Sequence, residues 1–281
     1  MPGIEYEADE IAAEQPQSNG QPPAAEERGT HPVHYISVGA GSPQEIDGDV
    51  VEEAQACISV NGEELAVFMC SPRDLDALAL GFLYNEGLIE SRDEVRALHI
   101  SKNNCVDVWL HDVQVELPRR AIVTAGCGGG ITFDDLSQRH EPLVSTLQAT
   151  PAQLAELMRQ VHLGATLYQR SRGIHTAALS DGDTLLLQKE DVGRHNCLDK
   201  VAGAALQAGI ATRDQILFSS GRISSEMLNK TRRMGIPIVC SRTSPTSLSV
   251  ALAEAWNITI VAYLRQNRMR LYTHPERVLD E

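Results

Sequence analysis

The sequence predicts an α/β protein, with a larger domain built on a mainly parallel sheet and a smaller α+β subdomain ahead of it. Three observations carry that expectation. The last hundred residues alternate between apolar runs of strand length and amphipathic stretches of helix length, an order that implies right-handed crossovers on a helix-covered sheet. Upstream, Asn61-Gly62 separates two runs of alternating hydrophobicity, a strong short-range hairpin signal. Finally, 42% of the 281 residues are hydrophobic, enough for one large core or two modest ones.

Residues 1–32 are rich in Glu, Gln, Pro, Gly and Ala and have little to bury, so they read as a disordered acidic tail. The small subdomain is expected over 33–120. Its hairpin is Ala54–Val60 with Glu63–Met69, followed by a helix capped by Ser71, with Pro72 in its first turn. Leu75, Leu78, Phe82 and Leu83 recur on one face of that helix, and Gly87 is placed to end it. Val95–Ile100 and Cys105–His111 then form a second hairpin around Asn103-Asn104.

The larger domain is expected over 121–281. Thr150-Pro-Ala-Gln153 begins a helix in capping-box fashion, with Leu154, Leu157, Met158 and Val161 inward. Strands follow at His175–Leu179 and Thr184–Leu187. A helix with Leu198, Val201, Ala202 and Ala205 on its inner face comes next. At its head, Glu190, Asp191, Arg194, His195 and Asn196 suit either a solvated, capped terminus or a polar site on a helix N-terminus. Beyond it, strands at 216–219, 236–240, 258–263 and 269–272 frame helices at 224–234 and 245–256.

Ligands on open α/β sheets sit beyond the carboxyl ends of the strands. Three loops qualify: Ser219–Arg222, Ser241–Thr246 and Leu264–Arg268. Each carries arginine, and the first two add hydroxyls and lead into helices. Guanidinium forks and helix N-termini together suit phosphate or another anion.

The chain also holds one unusual loop, Ala121–Phe133, in which Cys127 is surrounded by Gly126, Gly128, Gly129 and Gly130. Glycine lets another molecule approach the main chain closely. The loop is therefore an uncrowded perch for a nucleophilic thiol, or else a glycine-rich turn whose cysteine is incidental.

Charge and cysteine usage exclude several classes. The net charge of −14 argues against non-specific binding to nucleic acid or to an anionic membrane. Seven carboxylates against Arg28 in the first thirty residues supply −6 of it. No apolar run reaches membrane-spanning length, and no signal peptide is evident, so a cytoplasmic protein with reduced thiols is expected. The six cysteines are scattered without a C-x-x-C pair, so no structural metal is expected. Cys57, Cys70 and Cys105 read as simple packing residues.

Five motifs together are specific: Thr124-Ala-Gly-Cys-Gly128, Glu190-Asp-Val-Gly-Arg-His-Asn196, Ser220-Gly-Arg-Ile-Ser-Ser-Glu226, Ser241-Arg-Thr-Ser-Pro-Thr246 and Tyr272-Thr-His-Pro-Glu-Arg277. In this order they resemble the FdhD family of sulfur carriers for formate dehydrogenase, over about residues 50–278. The resemblance implies a cytoplasmic, dimeric protein with a cytidine-deaminase-like three-layer domain. Such a protein takes sulfur from a cysteine desulfurase as a persulfide. It passes that sulfur to the molybdenum bis(molybdopterin guanine dinucleotide) cofactor before insertion into formate dehydrogenase. By position, Cys127 matches the family's persulfide-bearing cysteine. Tyr263, Leu264, Arg265, Gln266, Asn267 and Arg268 match its cofactor-binding stretch. One departure is Gly130, where many members carry a second cysteine. Sulfur would then leave Cys127 directly for the metal site or an external thiol. A non-enzymatic cofactor chaperone that leaves Cys127 idle is the competing reading. Deamination is excluded, because the zinc deaminases need H-x-E and P-C-x-x-C, whereas His175 is followed two residues later by Ala177 and no P-C-x-x-C occurs.

Overall fold

A computed structural model describes residues 29–39, 41–112, 122–123, 131–132 and 140–278. The N-terminal tail to residue 28 and Cys127 lie outside the described residues. The first strand, β1 (Thr30–Ser37), begins inside the stretch read as tail and pairs antiparallel with β2 (Gln44–Val51). Neither strand carries a consistent inward face, and so the sequence pattern did not mark them.

The small unit is a four-stranded sheet made from β3 (Ala54–Val60), β4 (Glu63–Cys70), β5 (Val95–Ile100) and β6 (Cys105–Leu110), in the order β4-β3-β6-β5. Asn61 and Gly62 take the positive φ values of 52° and 89° that a tight hairpin turn requires. Ala56, Ile58, Val60, Val106, Val108 and Leu110 face inward against α1 (Leu75–Asn85). This helix starts three residues later than Pro72 suggests. Its N-cap is Asp74, in the left-handed region and without a side-chain cap. Ser71 is not the cap, because its backbone is engaged in a buried polar contact described below.

A second correction concerns the cysteines. Cys57 and Cys105 are joined as a disulfide rather than serving as separate packing residues. The parallel pairing of β3 with β6 makes them direct partners. A separation of 48 residues leaves no trace of that pairing in the sequence.

The larger unit contains α2 (Pro151–Gly164), α3 (Thr166–Ser171), β9 (His175–Ser180), β10 (Leu185–Asp191), α4 (Arg194–Ala208), β11 (Ile216–Ser219), α5 (Ser225–Arg233), β12 (Ile238–Ser241), α6 (Ser247–Trp256), β13 (Thr259–Arg265) and β14 (Arg268–Leu271). Its sheet order is β10-β9-β11-β12-β13-β14. Only β11–β12 and β12–β13 are parallel; β10–β9, β9–β11 and β13–β14 are antiparallel. The expected mainly parallel sheet is therefore mixed. Parallel pairing follows the crossovers through α5 and α6, whereas hairpin returns add antiparallel strands at both edges.

Both faces of this sheet are covered. One face packs Ala178, Phe218, Cys240 and Val261 on Leu154, Leu157 and Val161 of α2. The other packs Leu179, Leu217, Val239 and Ile260 on Leu198 and Val201 of α4, Leu228 of α5 and Trp256 of α6. Thr150 and Gln153 form the capping box that opens α2. Thr246 and Ser249 do the same for α6.

The two units meet where α1 lies against α4. A Cβ at Gly81 would stand 1.7 Å from the Asp199 carbonyl, and one at Gly203 would stand 1.9 Å from the Ala77 carbonyl. Only glycine permits so close a backbone approach. Between residues 112 and 140, the described backbone comprises β7 (Ile122–Val123) and β8 (Ile131–Thr132), paired antiparallel with Val123 opposite Ile131. In sequence they bracket the loop that holds Cys127.

Candidate functional site

The three loops expected to bind an anion do lie at one edge of the large sheet, though one of the arginines foreseen is replaced by another. Ser220, from the loop after β11, accepts a backbone bond from Thr176 at 2.9 Å and lies 3.3 Å from Nδ1 of His175. Ser241 at the end of β12 donates to the Gly221 carbonyl at 2.7 Å, tying the first loop to the second. Arg265 at the end of β13 donates from Nε to the Arg242 carbonyl at 2.9 Å, tying the second loop to the third. Ser220, Arg242, Thr243 and Arg265 all line one cavity of about 480 Å3.

Arg222 does not line it. The third guanidinium there is Arg172, the left-handed C-cap of α3. His162 in the last turn of α2 and Tyr168 in α3 complete that wall. Sequence reasoning missed all three. The six residues of α3 are too few to show helical periodicity, and nothing in the sequence ties them to loops seventy residues onward.

A second cavity, of about 860 Å3, shares Arg265 with the first and is bounded by the β13–β14 hairpin. It includes Tyr263, Arg265, Gln266, Asn267 and Arg268 of the expected stretch. Gln266 and Asn267 form the turn at φ 45° and 63°, positive at both central positions as a tight hairpin needs. Tyr263 sits at a bulge with φ 52°, and the Arg270 guanidinium lies 4.3 Å from its ring centre. Leu264 differs from its neighbours. It is fully buried among Ala178, Phe218 and Val261, so its side chain fixes the strand and only its backbone faces the hairpin's surroundings.

The polar segment Glu190–Asn196 is neither a solvated terminus nor an open site. Glu190 caps α3, accepting from the backbone of Leu167 and Tyr168 at 3.0 and 2.9 Å. Asp191 is fully buried. It accepts from Lys200 at 2.6 Å, from the backbone of Ser71 and Gly193, and from Asn196. Lys200, equally buried, also donates to the Ser71 carbonyl. Four residues along α4 from His195, Asp199 accepts from Lys230 at 2.6 Å and from Asn85 of α1 at 2.7 Å. Burial pushes the Asp199 carboxyl up, against the pull of Lys230 and the Asn85 bond. The α4 segment is thus a clamp between the two units.

His175 lines the first cavity, whereas His195, on α4, lies 3.4 Å from the Ser224 hydroxyl. Burial, then the Arg194 charge, lowers both, and His195 falls to about 3. Both imidazoles are neutral at pH 7. Of the thiols, Cys70 is buried and pushed up to about 12 by desolvation and by Asp191. Cys197 and Cys240 are buried and raised for the same leading reason. No cluster of three or more candidate metal ligands occurs among the described residues. None of the described helices is long and apolar enough to cross a membrane.

An α/β chain with arginine-lined clefts at the carboxyl edge of its sheet can now be set against known proteins. The FdhD/NarQ family pattern matches residues 51–279. The sulfur carrier protein FdhD of Staphylococcus aureus strain MRSA252 is 37% identical over 237 residues, covering 82% of this chain and 89% of that protein. Its counterpart in strain bovine RF122 / ET3-1 is 37% identical over 236 residues with the same coverage. A crystal structure described as a formate dehydrogenase accessory protein, from Desulfotalea psychrophila, superposes with a TM-score of 0.77 at 30% identity. It covers 89% of this chain and all of that one. The chain belongs to the FdhD/NarQ family.

Proposed function

We propose that this protein is a sulfur carrier that serves formate dehydrogenase, with Cys127 as the atom-bearing residue. One observation carries the reading: of the six cysteines, three are buried thiols and two are joined to each other, all unsuited to exchange. Only Cys127 sits in a glycine loop. Its thiolate attacks the outer sulfur of a cysteine desulfurase persulfide. The donor S–S bond breaks, the donor leaves as thiolate, and Cys127 becomes the persulfide without net oxidation. The outer sulfur would then pass to an external thiol, giving a new persulfide with no net redox change, or to the molybdenum bis(molybdopterin guanine dinucleotide) cofactor bound as substrate, a reduced metal supplying the two electrons that turn it into sulfide; in either case Cys127 leaves as thiolate. In this sense the protein is a sulfurtransferase, working in the cytoplasm and as a homodimer.

The residues present fit that substrate. Its two arms each carry a diphosphate, and Arg265 borders both clefts at the sheet edge. Planar guanidinium forks hold phosphate oxygens in pairs. Tyr263, Gln266, Asn267 and Arg268 would meet the same ligand from the hairpin, with Leu264 contributing backbone alone.

Mass spectrometry tests the thiol. After incubation with a cysteine desulfurase and cysteine, the Cys127 peptide should gain about 32 Da, one sulfur atom. Cys127→Ala should fold normally yet fail to activate formate dehydrogenase. Normal activation by that variant would sink the carrier reading. A cofactor-binding chaperone is the second reading, favoured by clefts built without any described thiol. It would stand if no sulfur were gained while cofactor binding stayed intact.

A further inference from the structure

Alternation along β3 and β6 fixes which side of the small sheet carries the disulfide. Ala56, Ile58 and Val60 of β3, with Val106, Val108 and Leu110 of β6, point into the core beneath α1. Successive strand residues point to opposite faces, so Cys57 and Cys105 stand on the outer face. Val67 of β4, opposite Cys57, and Trp109 of β6 share that face and are exposed. Both bonded cysteines are half-buried, whereas Cys70, Cys197 and Cys240 are buried. Among the described cysteines, only this pair is within reach of a molecule in solution.

The bond is not what brings its strands together. β3 and β6 already pair from Cys57–Cys105 to Val60–Val108, and their inner faces close a core without it. The two sulfurs also differ in position. Cys57 is mid-strand, flanked by β4 and β6. Cys105 is the first residue of β6, at the mouth of a turn. Its backbone N–H donates to the Ser101 hydroxyl at 3.2 Å, and its carbonyl accepts from the Ser101 backbone at 2.8 Å. The strand-end sulfur is the one an incoming group meets first, and its partner waits beside it, with the Cα atoms 4.4 Å apart.

Disulfides in compartments that keep thiols reduced are mostly catalytic or redox-sensing. We propose that Cys57 and Cys105 are a second sulfur-handling site, which when reduced takes the outer sulfur of a small hydropersulfide and releases it as sulfide. As a disulfide the pair offers no thiolate and takes no sulfur; reduced, it offers two thiols. The Cys105 thiolate attacks the outer sulfur of R–S–SH, the S–S bond of the donor breaks, and RS− leaves. Cys57, as thiolate, then attacks Sγ of Cys105, the persulfide bond breaks, and HS− leaves as the disulfide closes. The transferred sulfur gains two electrons and the two thiols lose them, so no outside oxidant enters. A small dithiol or a dithiol protein reopens the bond and departs as its own disulfide. Because the second thiol is already in place, closure is intramolecular, and this pair discharges sulfur where a lone thiol would store it. The inference rests on the proposed function only for the reducing surroundings.

The test uses the full chain carrying Cys127→Ala, so that no sulfur enters through the glycine loop. The protein is reduced with dithiothreitol, freed of it without air, and given glutathione hydropersulfide. About one equivalent of sulfide per chain should appear, with both thiols lost to alkylation as the disulfide reforms. Cys57→Ser should stop at the persulfide, with about 32 Da gained on the Cys105 peptide and sulfide release at least about tenfold lower. An equal gain on Cys57 in Cys105→Ser would overturn the order of attack. A bond that dithiothreitol opens only after the chain unfolds is structural, and the proposal falls. It falls equally if the reduced pair releases no sulfide. Those two readings need neither serine variant, so they stand even if one fails to fold. A parallel arm supplies the same sulfur from a cysteine desulfurase and cysteine, and release in that arm alone overturns the small-molecule substrate. Sulfur gain on Cys127 is read with Cys57 and Cys105 oxidised, so failure of either experiment leaves the other result readable.

Discussion

Two regions of this molecule use the same residue types to opposite ends. At the α1–α4 contact, Lys200 and Lys230 are buried, and each has a carboxylate at 2.6 Å. At the sheet edge, Arg172, Arg242 and Arg265 gather round a cleft that no carboxylate among the described residues lines. A buried cation whose counter-charge the chain supplies is structural, and its loss is felt as instability. A cluster of cations without a described carboxylate among its neighbours has no such structural pairing, so its loss should leave stability nearly unchanged. The contrast separates two kinds of arginine- and lysine-bearing motif that look alike in sequence.

Breaking the clamp should have the largest effect. Lys200→Met leaves Asp191 buried without its partner and should cost about 3–5 kcal/mol in chemical denaturation. A loss below about 1 kcal/mol would mean that the hydrogen bonds from Ser71, Gly193 and Asn196 suffice to hold the carboxylate. Gly203→Ala forces a methyl into the Ala77 carbonyl and should cost about 3 kcal/mol by the same assay. Retained stability would show that α1 can slide away from α4.

At the sheet edge the expected effects are smaller and appear in binding. Arg268→Ala should weaken guanine nucleotide binding by about 1–3 kcal/mol in calorimetry, with the melting temperature nearly unchanged. The reverse pattern, a lower melting temperature with affinity intact, would move Arg268 to the structural side.

Acid probes the boundary between the two regions. His195 titrates near its ordinary value when unfolded and at about 3 when folded. Below pH 6.5 the unfolded chain therefore binds the extra proton, and stability falls as pH drops from about 6.5 towards 3. The slope is up to about 1.4 kcal/mol per pH unit from this group, and His175 is shifted in the same direction. His195→Gln should flatten that slope. An unchanged pH profile would show that the imidazole is not held neutral by burial.

Much of the fold was legible because periodicity and turn chemistry are local. The Asn61-Gly62 hairpin, the Thr150 capping box and the order of β11, α5, β12, α6 and β13 all follow from neighbouring residues. What was not legible depends on partners far along the chain. Nothing near Cys57 points to Cys105, and nothing near Ser71 points to Asp191 or Lys200. The strand direction at the sheet edges was misjudged because alternation of element types records crossovers and not hairpin returns. At the candidate site, all three edge loops, Leu264–Arg268 included, were read from strand ends, and the resemblance to a family singled out Tyr263–Arg268 among them. The wall formed by His162, Tyr168 and Arg172 was not, because α3 is one short turn whose role comes from where Glu190 pins it.

That pinning has a neighbour on its far side. Asp49 of β2 receives Arg170 of α3 at 3.2 Å, and a Cβ at Gly173 would touch Val51. The N-terminal ribbon is thus the foundation on which Tyr168 and Arg172 stand, though it borders neither cleft at the sheet edge. Strain put on the ribbon would therefore reach the sheet edge through α3, without any change at the strand ends themselves.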